Sequence, residues 1–471
     1  MEFQQDVNNE ERTPLEKKTK ISGTTPDLQT HGDVDTGWSW IILTACFGNF
    51  CLFGCAQYAS GIIHSLLLER YGASVYITSW AGSLHVSLIS LAGPLSSAIS
   101  DRYSCRVAIV TGGCMYISGY ILTAIAPTVQ VAIVTCGVIS GIGGGIAYSA
   151  NTVIISYNFR KRRMLGIGVA HTGIGVGVLV LAPLLQFLRE LYGSFGFFLM
   201  LAGIFANMIT FGMVCFPNSV ERITLNKNLN SLPTKERPIS SNRLSVCSFF
   251  NKYWEVFTNR GIFCLCVANF FYSVSLFVLY LYFPTFIMYR GFTATEAAFF
   301  LSISGILNIF GRLGAGILAN IQTVNILLLY STTIVLFGLG TIIYPFIASY
   351  FAGHVVYFVV LGFFMGPCNV LTTGASLEFV SVEKIAIAIG LQLGFGGIGA
   401  TIGPIITGLF LDNGGTYEQA IIIAGSCAVL AAICSGITIC FNQHSDNTVL
   451  DIPENEGENH NMLKIKDIEI T

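Results

Sequence analysis

Apolar residues in this chain neither alternate with polar ones nor mark a single helix face. They come in long continuous runs, and twelve of these occur, at about 38–63, 75–99, 106–126, 129–157, 164–188, 193–216, 260–288, 295–319, 323–346, 350–377, 384–411 and 416–441. At about 1.5 Å per residue, roughly twenty residues cross the ~30 Å hydrocarbon core of a bilayer. Inside that core the backbone has no water to bond, so each run is predicted to be a helix. The expected fold class is an all-α membrane protein with twelve transmembrane helices.

Polar segments divide these runs. Residues 1–37 form a polar N-terminal tail without an apolar core, so no cleavable leader is expected. Both this tail and residues 442–471 read as disordered. The longest internal connection, 217–259, carries prolines and serines and splits the helices into a first half (38–216) and a second half (260–441). Traces of repetition link the halves. Gly93-Pro-Leu-Ser-Ser-Ala-Ile resembles Gly311-Arg-Leu-Gly-Ala-Gly-Ile in form, and Ala182-Pro183 resembles Gly403-Pro404. Their similar offsets, 218 (93 to 311) and 221 (183 to 404), predict two six-helix pseudo-repeats, an arrangement of transporters.

Composition agrees. The chain is 53% hydrophobic and 11% charged, against about 25% charged in soluble domains. Of its 24 Lys and Arg, 14 fall in even-numbered connections, three in odd-numbered ones (Arg70, Arg189, Arg290), six in the tails, and one is Arg312. By the positive-inside rule both termini are expected in the cytoplasm. Most of the 14 cysteines lie within spans and read as small apolar fillers. No HExxH, GxSxG or Walker-type loop is present, which argues against an enzyme or an ATP-driven pump. Gly394-Phe-Gly-Gly-Ile-Gly399 fits a dinucleotide pattern, but it lies within an apolar run and no strand precedes it.

Arg312 is the one charge in 297–319. A cation within a span costs about 2.5–3.5 kcal/mol on insertion scales, so it is expected to face protein or water and to serve an anion, or else to snorkel to the interface. Asn308 lies one turn earlier on the same face. His85 and His171 fall inside the second and fifth helices, as proton relays or as interhelical hydrogen-bonding groups. Tyr280, Tyr282 and Pro284 place aromatic lining and a bend in the seventh helix, or else contribute ordinary packing. Asp101, Arg102 and Arg106 form either a salt-bridge latch between helices or a solvated turn. Arg160–Arg163 is a basic anchor ahead of the fifth helix, while Glu378 and Asp412 read as structural.

Several stretches resemble the monocarboxylate transporters of the major facilitator superfamily. Asp35-Thr-Gly-Trp-Ser-Trp40 is similar to the signature opening their first helix. Lys161-Arg-Arg-Met-Leu-Gly-Ile-Gly-Val-Ala-His-Thr-Gly173, with Gly177, resembles their fifth-helix signature, with Gly166 and Thr172 in place of alanines and Asn158 in place of a tyrosine. Gly93-Pro94 with Asp101, Arg102 and Arg106 resembles the loop motif of the wider superfamily. The resemblance spans about 35–441 and implies a major facilitator fold working by alternating access at the plasma membrane. It implies that Arg312 contacts substrate carboxylate and that Lys161, Arg162 and Arg163, with the 101–106 motif, act in gating.

Two positions depart from the family. Asn308 stands where it carries an aspartate, and Tyr58 aligns where proton-coupled members carry a first-helix lysine. The substrate set expected is therefore Arg312, Asn308, Tyr58, Tyr280 and His171, with proton co-transport in doubt and no other cofactor or metal. The expected partners are a small organic anion, the lipid bilayer and, by family resemblance, a single-span glycoprotein chaperone; nucleic acid is not expected. Alternatives left open are a carrier of zwitterionic, amino-acid-like or aromatic substrates by facilitated diffusion, and a transporter-like sensor.

Overall fold

Each apolar run is realised as helix, and the chain connects these helices through short polar turns. The computed structural model describes residues 33–73, 75–230 and 251–450. The first half comprises α1 (Gly37–Tyr71), α2 (Val75–Leu91), α3 (Gly93–Arg102), α4 (Cys105–Ala124), α5 (Val129–Ala132) running through a π-helical stretch (Ile133–Ile139) into α6 (Ser140–Asn158), α7 (Arg163–Phe205) and α8 (Asn207–Val214). Helices α9 (Ser219–Asn230) and α10 (251–257) lie in the central connection. The second half comprises α11 (Arg260–Tyr289), α12 (Ala294–Leu318), α13 (Ile326–Ile347), α14 (Phe351–Leu377), α15 (Ile385–Asp412) and α16 (Tyr417–Leu450). Among the described residues, eleven helices are long and apolar enough to cross a membrane, and twelve if α2 and α3, bent by 43°, count as one span.

Three boundaries differ from the apolar pattern. Helix α1 continues to Tyr71 and closes on Gly72, whose left-handed φ of 56° suits glycine. Helix α7 carries both the fifth and sixth spans. Gly193, at φ 60° and ψ −165°, breaks it between them, a conformation an L side chain resists. Helix α16 runs on past 441 to Leu450. The remainder of both tails and residues 231–250 fall outside the described residues.

The two halves repeat one packing device. The fifth span crosses the first with no room for a side chain: a Cβ on Gly177 would lie 1.9 Å from the Cys51 carbonyl oxygen. In the second half a Cβ on Gly399 of α15 would lie 2.4 Å from the Phe270 carbonyl oxygen on α11. Small residues let membrane helices approach to backbone contact, where dispersion and weak polar terms hold them. Each half also carries a buried interhelical hydrogen bond: Asn49 donates to Asn151 Oδ1 at 2.9 Å, and Asn269 donates to the Gln392 backbone carbonyl at 2.6 Å.

The two halves touch through the segments leading to one end of the bundle, the end bearing Arg160–Arg163. There Gly168 of α7 and Gly316 of α12 meet, so a Cβ on either would come within about 3 Å of the other's Cα (2.9 and 3.0 Å). Gly93, at the bend between α2 and α3, meets Gly390 of α15 in the same way, its Cβ falling 2.8 Å from the Gly390 carbonyl oxygen. Below this junction α10 bridges both halves. Tyr253 Oη donates to the Pro94 carbonyl at 2.8 Å and also meets Ser97 Oγ. Toward the second half, Glu255 pairs with Lys384 at 2.6 Å and Phe257 stacks on Phe395 at 5.8 Å.

The first- and fifth-helix signatures are physically joined. Asp35 Oδ2 accepts from the backbone N–H groups of Arg160 (3.1 Å) and Lys161 (3.0 Å), and Asp35 N donates to the Asn158 carbonyl at 3.0 Å. The Trp40 ring meets Phe159 edge-on at 5.4 Å, and the Arg162 guanidinium lies 5.9 Å from Trp40. Asp35→Ala is expected to lower stability by about 1–2 kcal/mol, because two donors lose a charged acceptor. Thermal unfolding in detergent measures this; an unchanged melting temperature would separate the two motifs.

Candidate functional site

Arg312 lies on α12, six residues before Leu318, or about 9 Å along the axis from that helix end. Its side chain does not run to the interface. It is 5% exposed, and Nη1 crosses to the other half to donate to the backbone carbonyl of His171 at 2.6 Å. Gly366 of α14 makes room for its stem, since a Cβ there would sit 3.0 Å from Arg312 Cγ and 2.6 Å from the Asn308 carbonyl oxygen. Arg312 forms no ion pair among the described residues.

Two donors at this point are unspent. Arg312 Nε and Asn308 Nδ2, one helix turn apart, are both buried and have no hydrogen-bond partner among the described residues. A buried polar group without a partner costs about 1–3 kcal/mol, more when charged. Two such donors four residues apart on one helix suit an acceptor with more than one oxygen. A carboxylate is one, and a guanidinium binds it well.

Aromatic side chains surround the guanidinium. Tyr148, Tyr280 and Tyr272 lie within its electrostatic reach. Tyr280 sits deep in the bundle yet is 42% exposed, so it lines open space; its hydroxyl approaches Met365 Sδ at 3.5 Å. Tyr148 packs edge-on against Phe50 and Phe53, each at 5.3 Å. Such walls lower the local dielectric and strengthen a charge–charge contact made there.

The other expected residues are distributed as follows. The His171 ring stacks on Phe50 at 4.3 Å and donates from Nδ1 to the Ile167 carbonyl at 3.0 Å, so its backbone carbonyl, not its ring, meets Arg312. Tyr58 is within α1, but its side chain lies outside the described residues. His85 is 5% exposed, with Nδ1 near Ser140 Oγ (3.1 Å) and the Cys136 carbonyl (3.2 Å) and Nε2 facing Tyr116 Oη at 3.3 Å, a set of contacts wholly within the first half. His354 is likewise enclosed, against Tyr344 Oη at 2.8 Å. Arg102 lies over Tyr103 (5.6 Å) and Arg106 over Phe216 (4.3 Å), while Asp101 is within electrostatic reach of Lys252 of α10. Arg163 donates from Nε to the Phe159 carbonyl at 2.8 Å, directly before Met164, whose carbonyl borders Gly316. Lys161, Arg162 and Arg163 thus sit beside the contact between the halves.

Three features of the site are not apparent from residue type. Tyr148 follows a run of glycines that draws attention to packing instead. Gly366 matters only through what lies opposite it. The acceptor at His171 is a peptide carbonyl, which every residue possesses.

Comparison with known proteins agrees with this fold. The sequence model of the Major Facilitator Superfamily matches residues 45–331. Curated relatives include monocarboxylate transporter 3 of Gallus gallus, 29% identical over 422 residues covering 85% of this chain and 78% of that one. Monocarboxylate transporter 12 of Xenopus laevis is 26% identical over 88% of this chain and 91% of that one. Among solved structures, the proton:xylose symporter XylE superposes with a TM-score of 0.62 at 16% identity, covering 84% of this chain and 94% of that one. The human organic anion transporter MFSD10 superposes with a TM-score of 0.64 at 15% identity, covering 84% and 99%. With that sequence model matching more than half of its length, the chain belongs to the Major Facilitator Superfamily, a family of transport proteins and not of enzymes.

Proposed function

We propose that this protein is a secondary transporter that moves small monocarboxylate-type organic anions across the plasma membrane by alternating access, with Arg312 as the carboxylate anchor. The observation that carries this reading is the pair of unspent buried donors, Arg312 Nε and Asn308 Nδ2. The names of the curated relatives support the same substrate class. A monoanion suits the site better than a zwitterion, because no acidic side chain pairs with Arg312 among the described residues to receive an ammonium group. The excess of Lys and Arg in even-numbered connections supports a cytoplasmic location for the basic end and both termini. The halves then meet on the cytoplasmic side, and substrate reaches Arg312 from outside.

Proton coupling is not built into this site. Asn308 cannot take up a proton, and the ring nitrogens of His85 are committed to helix packing. Uptake of labelled monocarboxylates into liposomes holding the purified protein is expected to reach the same steady level with and without an imposed pH gradient. Gradient-driven accumulation would overturn the uncoupled mechanism; if it disappears on replacement of His85 and His171, coupling runs through a histidine. Absence of saturable flux for every monocarboxylate tried, alongside measurable binding, would point to a sensor instead.

A further inference from the structure

A cavity opens at the basic end, and neither Arg312 nor Asn308 lines it. It encloses about 540 Å³ and draws its lining from both halves: Arg160, Lys161 and Arg163 from one, Asn320, Gln322 and Asn325 from the other. One carboxylate, Glu378, also reaches it, so the lining carries a net charge of +2 (three cations minus one anion). The side chains of Arg160 and Lys161 form no ion pair among the described residues, while Arg163 gives Nε to the Phe159 carbonyl and lies within electrostatic reach of Asp35. Arg162, turned over Trp40, is not part of the lining. Asn325 uses its Oδ1 to cap α13 by accepting from Leu328 N at 3.0 Å, which leaves its NH₂ as a donor.

We propose that this cavity binds a polyvalent phosphate group. A single carboxylate would leave most of these donors unused, whereas phosphate offers several acceptor oxygens and more than one negative charge. Basic pockets between membrane helices at the cytoplasmic boundary take phospholipid head groups by this chemistry. The cavity is also large enough for a soluble phosphorylated compound. Because its lining comes from both halves, the site is complete only while they meet at this end. Bound phosphate therefore holds that end closed and slows the cycle, a consequence that rests on the transport reading, whereas the binding itself does not.

The test uses the full-length protein in phosphatidylcholine nanodiscs, with phosphatidylinositol bisphosphate in the lipid or pyrophosphate in the buffer as probes. Saturable binding is expected, weakened about tenfold by Arg160→Gln and by Gln322→Glu, one on each half. Arg222→Gln, an exposed charge on α9 outside the lining, should leave binding unchanged. A response to the lipid alone identifies a head-group site; a response to pyrophosphate as well identifies a site for free phosphates. The proposal fails if neither probe binds, if Arg160→Gln and Gln322→Glu bind like the parent, or if Arg222→Gln weakens binding equally. These measurements need no transported substrate, so their failure leaves the transport reading standing. Conversely, binding without any slowing of uptake removes only the regulatory consequence.

Discussion

Arg312→Gln is expected to reduce saturable monocarboxylate uptake by about a hundredfold or more while leaving the protein folded and at the cell surface. Removing one partner of a buried hydrogen-bonded charge pair costs about 2–5 kcal/mol, and each 1.4 kcal/mol is a factor of ten. The fold should tolerate the change. Glutamine keeps an amide that can donate to the His171 carbonyl, and it removes a cation whose burial between spans is itself costly. A melting temperature equal to or above that of the parent, together with lost uptake, is therefore the expected pattern. Arg312→Lys keeps the charge but loses the planar fork and should fall between the two. Uptake that persists in Arg312→Gln would remove this residue from the substrate path, and a loss of folding that parallels the loss of uptake would make it structural.

Valine at Gly168 or Gly316 is the second change with a large expected effect. A side chain at either position would meet the opposite helix at about 3 Å (2.9 and 3.0 Å to the facing Cα), so the halves could close at the basic end only by separating α7 from α12. Overpacking of this kind costs about 1–3 kcal/mol. Conformers of a two-state protein commonly differ by only a few kcal/mol, so that cost shifts their populations roughly tenfold to a hundredfold toward the state open at this end. Uptake should fall steeply, and spin labels at positions 161 and 322 should move apart. Gly314→Val is the matched control, on the same helix but with open space where its Cβ would lie. Equal behaviour of Gly314→Val and Gly316→Val would show that the contact between the halves is not what limits transport.

Much of the architecture was legible because lipid imposes simple rules. Continuous apolar runs become helices, and a lone cation among them must face protein or cavity, which singled out Arg312 from its neighbours alone. Legibility failed where meaning depends on what lies opposite. Glycines at 168 and 316 are two among 50, and only their meeting across the halves gives them a role. Asp35 and the Arg160–Arg163 cluster read as separate motifs, since nothing in either reveals that the carboxylate caps the loop. The helices α9 and α10 look like plain polar connection in the sequence because they are short and pack only at the end of the bundle. Asp101, Arg102 and Arg106 read equally as a latch or as a solvated turn, and residue type alone does not reveal that Arg102 lies over the Tyr103 ring and Arg106 over that of Phe216.

The acceptor that Arg312 finds at position 171 has a consequence for how this protein can be dissected. Because that acceptor is a peptide oxygen, no codon change at 171 deletes it, and alanine scanning would score the position as silent for this contact. Only a backbone edit, such as an ester in place of the amide that contains this carbonyl, weakens the acceptor while leaving the ring in place. The link between the halves at the arginine is thus shielded from single-residue genetics on one side and fully exposed to it on the other.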